Sequence, residues 1–436
     1  MSLSVEAIAH ALVNIYKRKV DIDHEVEENL FQETRQIFNE AISEGYANAA
    51  EKDVPLPDDA FRSSFKHSAD VFSAFRVHRM QKDIAAQMID DEGQVKPFQK
   101  FVRDVSPYIE HRNRAWLRTE YDTAILRAQN AAEWKMFEAE KDVYPNLEWI
   151  QSTSPDPGAD HMIYWGTIRP VDDPFWSEHK PGDRWNCKCE LRQTDKNATA
   201  LPVSDGKSDP MRGLESNPAK AEELFSDHHP YYPSNCASCP FAGSKLMALA
   251  RSLRRRKNCN ACKRVNKEID RQRIIANRKE YERLKKDPNY FDVEFNEKTG
   301  GVKATHIGHN LDKVGGKYEL DTLIAGVKAG NIVVLENEKG EGKHTEGLWN
   351  GKPFEVAGCQ TGTANNIVRG LKHCASKRKT EFAVIVLPNT DFDKVVFETA
   401  IKRFKGLEKL NDGQYLKFKK IICVHNQEVV YITDGI

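Results

Sequence analysis

Residues 149–193, WIQSTSPDPGADHMIYWGTIRPVDDPFWSEHKPGDRWNCKCELRQ, constrain this chain more than any other stretch. Pro155, Pro157, Gly158, Pro170, Pro174, Pro181 and Gly182 punctuate them closely, so turns and short strands are expected in place of helix. Proline fixes φ and removes a backbone donor, so no helix of ordinary length can run through such a block. Trp149, Trp165, Trp176 and Trp185 supply its core. His161, His179, Cys187 and Cys189 bring side chains of the kind zinc accepts, and four such ligands make a candidate second metal site. An alternation of Cys187 and Cys189 on opposite faces of a strand, with ordinary hydrogen bonds for the histidines, is the competing arrangement.

Upstream the pattern is helical. Leu30, Phe31, Thr34, Ile37, Phe38 and Ile42 recur at the spacing of one helix face, and Gly45 is expected to stop that helix. Phe61, Phe65, Phe72 and Phe75 continue an apolar stripe that reads as core. From His111 to Asp142 there is neither Gly nor Pro, which predicts one or two long helices leading into the proline-rich block.

Downstream, residues 197–234 are rich in Pro, Ser, Asn and Gly and read as an extended arm. Cys236-x2-Cys239 and Cys259-x2-Cys262 then have the spacing of a four-thiolate structural zinc clip. The nine cysteines are odd in number and closely clustered, which favours reduced thiols and metal over disulfides. Acidic and basic residues balance at 65 each, yet residues 251–286 hold fifteen Lys or Arg against four Asp or Glu. That basic connector is a candidate DNA contact, through RSLRRRKNCNACKR and a helix that Asp287 and Pro288 should end.

Past Asn289 the pattern alternates. YELDTLIAGVKAG reads as a helix ending at Gly330, NIVVLENE as a strand, and LWNGKPFEVAG as a hairpin turning at Asn350-Gly351. NNIVRGLKHCASK reads as a helix, EFAVIVLPN as a buried strand and KVVFETAIKRFKGLEKL as a helix, with a second hairpin closing the sequence. The expected fold class is multidomain α+β. It comprises a mainly helical domain over 1–200, a zinc-clipped basic connector over 201–290 and a small α+β domain over 291–436. No run approaches the roughly 18 apolar residues of a spanning helix, and the N-terminus lacks the pattern of a secretion signal, so no membrane partner is expected.

The helix containing LRTEYDTAI, the Trp-rich block and the closing HKPGDRWNCKCE together resemble the Mu-F-type head morphogenesis, or minor capsid, family of tailed phages, over about residues 1–200. That resemblance implies virion assembly, portal and capsid partners, and residence in the phage head and host cytoplasm. Residues 291–436 resemble the barnase, EndoU, colicin and RelE-like nucleases, especially contact-dependent-inhibition toxins. LDTLIAGVKAGNIVVLENE, KHTEGLWNGKPFEVAG and TGTANNIVRGLKHCASKRKTEFAVIVLPN carry this second likeness.

The second resemblance implies ribonuclease chemistry without a catalytic metal, with RNA as substrate, tRNA being one candidate, and an immunity protein as partner. His344 and Glu355 are the expected proton-transfer pair, with Lys343 or Arg369 on phosphate and Thr361 or Thr363 positioning it; His306, His309, Lys317 and Glu346 complete the candidate set. Ala357 stands where related toxin domains carry Lys, so Lys352, Arg369 or Lys377 would have to supply the cation. Two other readings remain open: a purely structural capsid or portal-associated protein with a non-catalytic C-terminal binding module, and a metal-dependent DNA nuclease.

Overall fold

The computed structural model describes residues 2–154, 159–203, 206–242, 258–339, 344–377, 379–388, 392–410 and 418–434. Lys343, the prolines and glycine at 155–158, and the arginine-rich residues 251–257 lie outside the described residues. The chain forms two compact units, Met1–Ile269 and Asp270–Ile436.

Helices α1 (Val5–Tyr16), α2 (Glu28–Glu51), α3 (Asp59–Ala86), α4 (Phe98–His111) and α5 (Leu117–Glu140) build the first unit. Ser4, Glu27 and Asp58 cap α1, α2 and α3 by accepting a hydrogen bond from the backbone N–H three residues on. A single π-helical turn, Arg112–Trp116, joins α4 to α5, so the predicted helical run is two helices with a bulge between them. The periodic residues from Leu30 to Ile42 and the four phenylalanines are buried together, as their spacing predicts.

Gly45 does not stop a helix. It lies inside α2, and a Cβ there would fall 2.3 Å from the Ile125 carbonyl oxygen and 2.7 Å from the Ala128 Cβ of α5. The missing side chain lets α2 and α5 approach closely, and α2 continues because tertiary contact outweighs glycine's poor helix propensity.

The proline-rich block forms a three-stranded antiparallel sheet. β1 (Asn146–Ile150) lies between β2 (Ile168–Pro170) and β3 (Glu190–Thr194), and Trp149 pairs with Leu191. Short helices α6 (Phe175–Glu178) and α7 (Pro218–Ala221) follow in the same unit. The stretch expected as an extended arm is packed instead. Leu214, Leu224 and Phe225 are fully buried, and Arg127 of α5 donates to the carbonyl oxygens of Leu214, Ser216 and Leu224. A coil rich in Pro and Gly can still be ordered when its carbonyls have a buried donor.

Helix α8 (Lys263–Lys286) ends before Asp287 and Pro288, as the sequence predicts. The second unit's sheet has, among the described residues, eight strands in chain order: β4 (Tyr290–Phe295), β5 (Val302–His306), β6 (Ile332–Leu335), β7 (Gly347–Trp349), β8 (Lys352–Gly358), β9 (Phe382–Leu387), β10 (Lys420–His425) and β11 (Glu428–Asp434). Three parallel pairings, β5–β6, β8–β9 and β9–β10, are bridged by α9 (Gly316–Lys328), α10 (Ala364–Ala375) and α11 (Lys394–Leu410).

β9 is buried along its whole length. Ala383, Ile385 and Leu387 face the core shared with α10 and α11, while Phe382, Val384 and Val386 face the α9 side. A strand covered on both faces must be apolar throughout, which is why EFAVIVLPN shows no alternation. Asn350 and Gly351 both adopt positive φ in the predicted hairpin, and Asn426 and Gln427 do the same in the closing one. The β4–β5 hairpin was not legible in the sequence.

Candidate functional sites

In the first unit, His161, Cys187 and Cys189 converge. The Nδ1 of His161 lies 3.3 Å from the Cys187 sulfur and 3.8 Å from the Cys189 sulfur, and the three ligand atoms are within 4.8 Å of one another. On the other side of the ring, Nε2 meets the fully buried Asp183 carboxylate at 2.7 Å. Asp183 is presented by the Lys180-Pro181-Gly182-Asp183 turn, where Gly182 has a φ of 85°. This turn is fastened to α5, since Arg127 donates to the Gly182 carbonyl oxygen and Asn130 to that of Pro181. Burial alone would lower the His161 pKa, but hydrogen bonds to Asp183 and Cys189 outweigh it and hold the ring up to about 9. The neighbouring Cys187 and His161 hold the Cys189 thiol well below its usual value.

His179, the fourth expected ligand, is elsewhere. Its Nδ1 is 3.1 Å from the Tyr164 hydroxyl, and its ring packs on Tyr164 and Phe175. Trp149 and Trp176 are fully buried core residues, as expected. Cys236, Cys239, Cys259 and Cys262 form no disulfide, and their sulfurs do not all lie within 4.8 Å of one another. Cys259 is buried, and burial raises the Cys239 thiol to about 11, with Cys262 and Cys236 nearby.

In the second unit a cleft of about 400 Å³ is lined by Lys313, Glu319, Glu346, Asn366, Arg369 and His373, together with neighbouring apolar and small residues. Arg369 and His373 sit one turn apart on α10, and Lys377 follows one turn further on, past its end. His309 Nε2 meets Glu319 at 2.8 Å, and its Nδ1 faces the Glu336 carbonyl oxygen at 2.8 Å. Lys313 bridges Glu319 at 2.9 Å and Glu346 at 2.7 Å, and also pairs with Glu338.

Burial, with Glu319 and Glu355 close by, raises the Glu346 carboxyl to about 7 even though Lys313 pulls the other way. Glu338 is shifted down to about 2, because Lys313 outweighs its burial. Glu355, on β8, is fully buried, and neither of its oxygens has a hydrogen-bond partner. Its neighbours are His373 Nε2 at 3.5 Å and Lys377 Nζ at 3.6 Å. The hydrogen-bonding reach of Glu355 raises the His373 pKa.

Of the sequence candidates, Glu346 and Arg369 therefore line the cleft, while Glu355 and His309 lie behind it. His344 offers its backbone carbonyl to Lys377, and its Nε2 is buried without a partner. Thr361 and Thr363 pair with each other at the start of α10. Lys317 lies over the Tyr318 ring, and His306 packs against Tyr290. Sequence reasoning did not select Lys313, Glu319, Glu338 or His373. The spacing of Arg369, His373 and Lys377 was the available signal for the α10 face. Nothing local pairs the three glutamates, which come from a helix start and two loop ends.

No helix among the described residues is long and apolar enough to cross a membrane. No curated protein and no solved structure matches this chain. Residues 80–192, which span the end of α3, α4, α5, β1, β2, the first residues of β3 and the His161–Cys187–Cys189 cluster, match the family model described as Phage Mu protein F like protein, so this region is similar to that phage protein family.

Proposed function

We propose that this chain is a phage or prophage minor head protein whose second unit is an RNA-cleaving effector. The head-protein part rests on the family match over residues 80–192. Portal and capsid proteins are its partners in this reading. The observation that carries the effector part is that Glu346, with a carboxyl raised to about 7, and His373, with a raised imidazole, line one cleft together with Arg369 and Lys313.

Such a pair can divide acid and base work near neutral pH. Glu346 takes the proton of a ribose 2'-hydroxyl, whose oxygen forms a bond to the adjacent phosphorus. The bond to the 5'-oxygen breaks, and His373 gives that oxygen its proton, leaving a 2',3'-cyclic phosphate. Arg369 and Lys313 offset the charge gathering on the phosphoryl oxygens, the part that the lysine missing at Ala357 would otherwise play. Glu355 holds His373 protonated and in place. His373 thus replaces His344 as the partner of Glu355.

A second reading is a metal-dependent nuclease, favoured by the convergence of His309, Glu319, Glu338 and Glu346 within 4.8 Å. Incubating the full chain with total transfer RNA separates the two. Discrete cuts that persist in EDTA and are lost in Glu346→Gln and His373→Ala support the first reading. Cuts that appear only with added magnesium, in this RNA or in duplex DNA added beside it, support the second, and RNA and DNA both left intact under both conditions refute both.

A further inference from the structure

The geometry points to a divalent zinc-type metal site in the first unit, held by His161 Nδ1, Cys187 Sγ and Cys189 Sγ, with Asp183 as the positioning residue and one coordination position left to an exchangeable ligand. It is independent of the activity proposed for the second unit.

Tetrahedral zinc with Zn–S of about 2.3 Å and Zn–N of about 2.0–2.1 Å requires each sulfur to stand roughly 3.6 Å from the ligating nitrogen. The two observed separations, 3.3 and 3.8 Å, fall on either side of that edge. The ring is also turned the right way. Asp183 takes the Nε2 side at 2.7 Å, which keeps the N–H there, so a metal that displaces the Nδ1 proton meets the Nδ1 lone pair between the two sulfurs. A carboxylate behind a histidine is the usual means of fixing the ligating tautomer.

The Cys187 sulfur accepts from the Cys189 backbone N–H at 3.5 Å, so the Cys-x-Cys turn folds both sulfurs to one side, unlike the alternating strand arrangement. The indole N–H of Trp149 is buried without a hydrogen-bond partner, and its ring lies edge-on to that of His161 with centroids 5.2 Å apart, so an unused donor stands next to the cluster. Two thiolates and a neutral imidazole carry a charge of −2, which a divalent ion cancels inside this buried setting. Both cysteines line a cleft of about 270 Å³ against α5, where Asp122, Gln129 and Glu190 also appear, so the fourth position opens on a polar space. Such a metal would tie the helical turn at His161 to the start of β3, fastening the sheet against α5.

The test is cobalt(II) titration of the full chain, read by the thiolate-to-cobalt charge-transfer band and the visible bands of a tetrahedral ion, with total bound metal measured alongside. Cys187→Ser with Cys189→Ser should remove one equivalent of metal from the total, whatever Cys236, Cys239, Cys259 and Cys262 bind. His179→Ala should remove none. Asp183→Asn should keep the spectrum and weaken binding by about 10–100-fold, the range for loss of an outer-shell partner. If the cysteine double variant fails to fold, the Asp183→Asn titration decides alone. Unchanged stoichiometry in the double variant, unchanged affinity in Asp183→Asn, or alkylation of Cys187 by iodoacetamide at the same rate with and without cobalt would each overturn the assignment.

Discussion

Gly45→Ala tests the packing of the first unit with the smallest available change. In an isolated helix, this substitution stabilises by about 1 kcal/mol, because glycine has the greater backbone freedom to lose. Here the added methyl would meet the Ile125 carbonyl oxygen at 2.3 Å, the Ala128 Cβ at 2.7 Å and the Gln129 nitrogen at 3.0 Å. Two of those atoms are backbone and the third is a Cβ, so no rotamer change relieves them. α2 and α5 must move apart by about 1 Å, and overpacking of this kind costs about 1–3 kcal/mol. With the cost at the upper end and the propensity gain subtracted, the net loss is about 2 kcal/mol, which is roughly a thirtyfold fall in the folded-to-unfolded ratio.

Tryptophan fluorescence in urea is the assay, because six of the seven tryptophans, Trp116, Trp134, Trp149, Trp165, Trp176 and Trp185, belong to the first unit. Ala128→Gly should rescue only part of the loss, since the Ile125 carbonyl stays in place. Gly406→Ala is the control, for Gly406 lies within α11 with no described atom within 4 Å of an added Cβ; it should stabilise the second unit by up to about 1 kcal/mol. An unchanged or raised midpoint for Gly45→Ala would refute the close-approach argument.

Arg127→Met should destabilise the first unit by at least about 3 kcal/mol, because the carbonyls of Gly182, Leu214, Ser216 and Leu224 lose a buried donor; a smaller loss in the same urea titration would mean that water replaces it. For Glu346, a carboxyl raised in the folded state is stabilising when protonated, so its contribution is complete below about pH 4.5 and is lost as the pH rises through about 7. Hydrogen-exchange protection of β7, corrected for intrinsic rates, should therefore decline between about pH 4.5 and 7, and Glu346→Gln should flatten that decline. If Glu346 and His373 are base and acid, the RNA cleavage rate should be bell-shaped in pH, rising through about 7 as Glu346 ionises and falling as His373 loses its proton; a profile that keeps climbing into the alkaline range would exclude His373 as the acid.

Most of the elements were legible from the chain alone. The apolar period of Leu30 to Ile42, the uninterrupted run into α5, the Asn350-Gly351 turn and the unbroken apolar β9 are local signals, and each element formed where its signal lies. The pairing of Cys187 with Cys189 was legible for the same reason, the two being two residues apart.

Tertiary structure decided what depends on distant partners. Gly45 reads as a helix stop unless α5 is known to lie against it, and residues 197–234 read as an arm unless Arg127 is known to hold their carbonyls. Both histidines of the proline-rich block were expected beside the cysteines, and only His161 lies there, its ring held by the carboxylate of the Lys180–Asp183 turn docked on α5. In the second unit, Glu319, Glu338 and Glu346 meet because a parallel crossover brings the start of α9 beside two strand-end loops. Sequence determines local conformation because backbone sterics and apolar periodicity act over a few residues. It leaves such clusters open because ionisable groups are brought together by chain crossings whose partners lie tens of residues away.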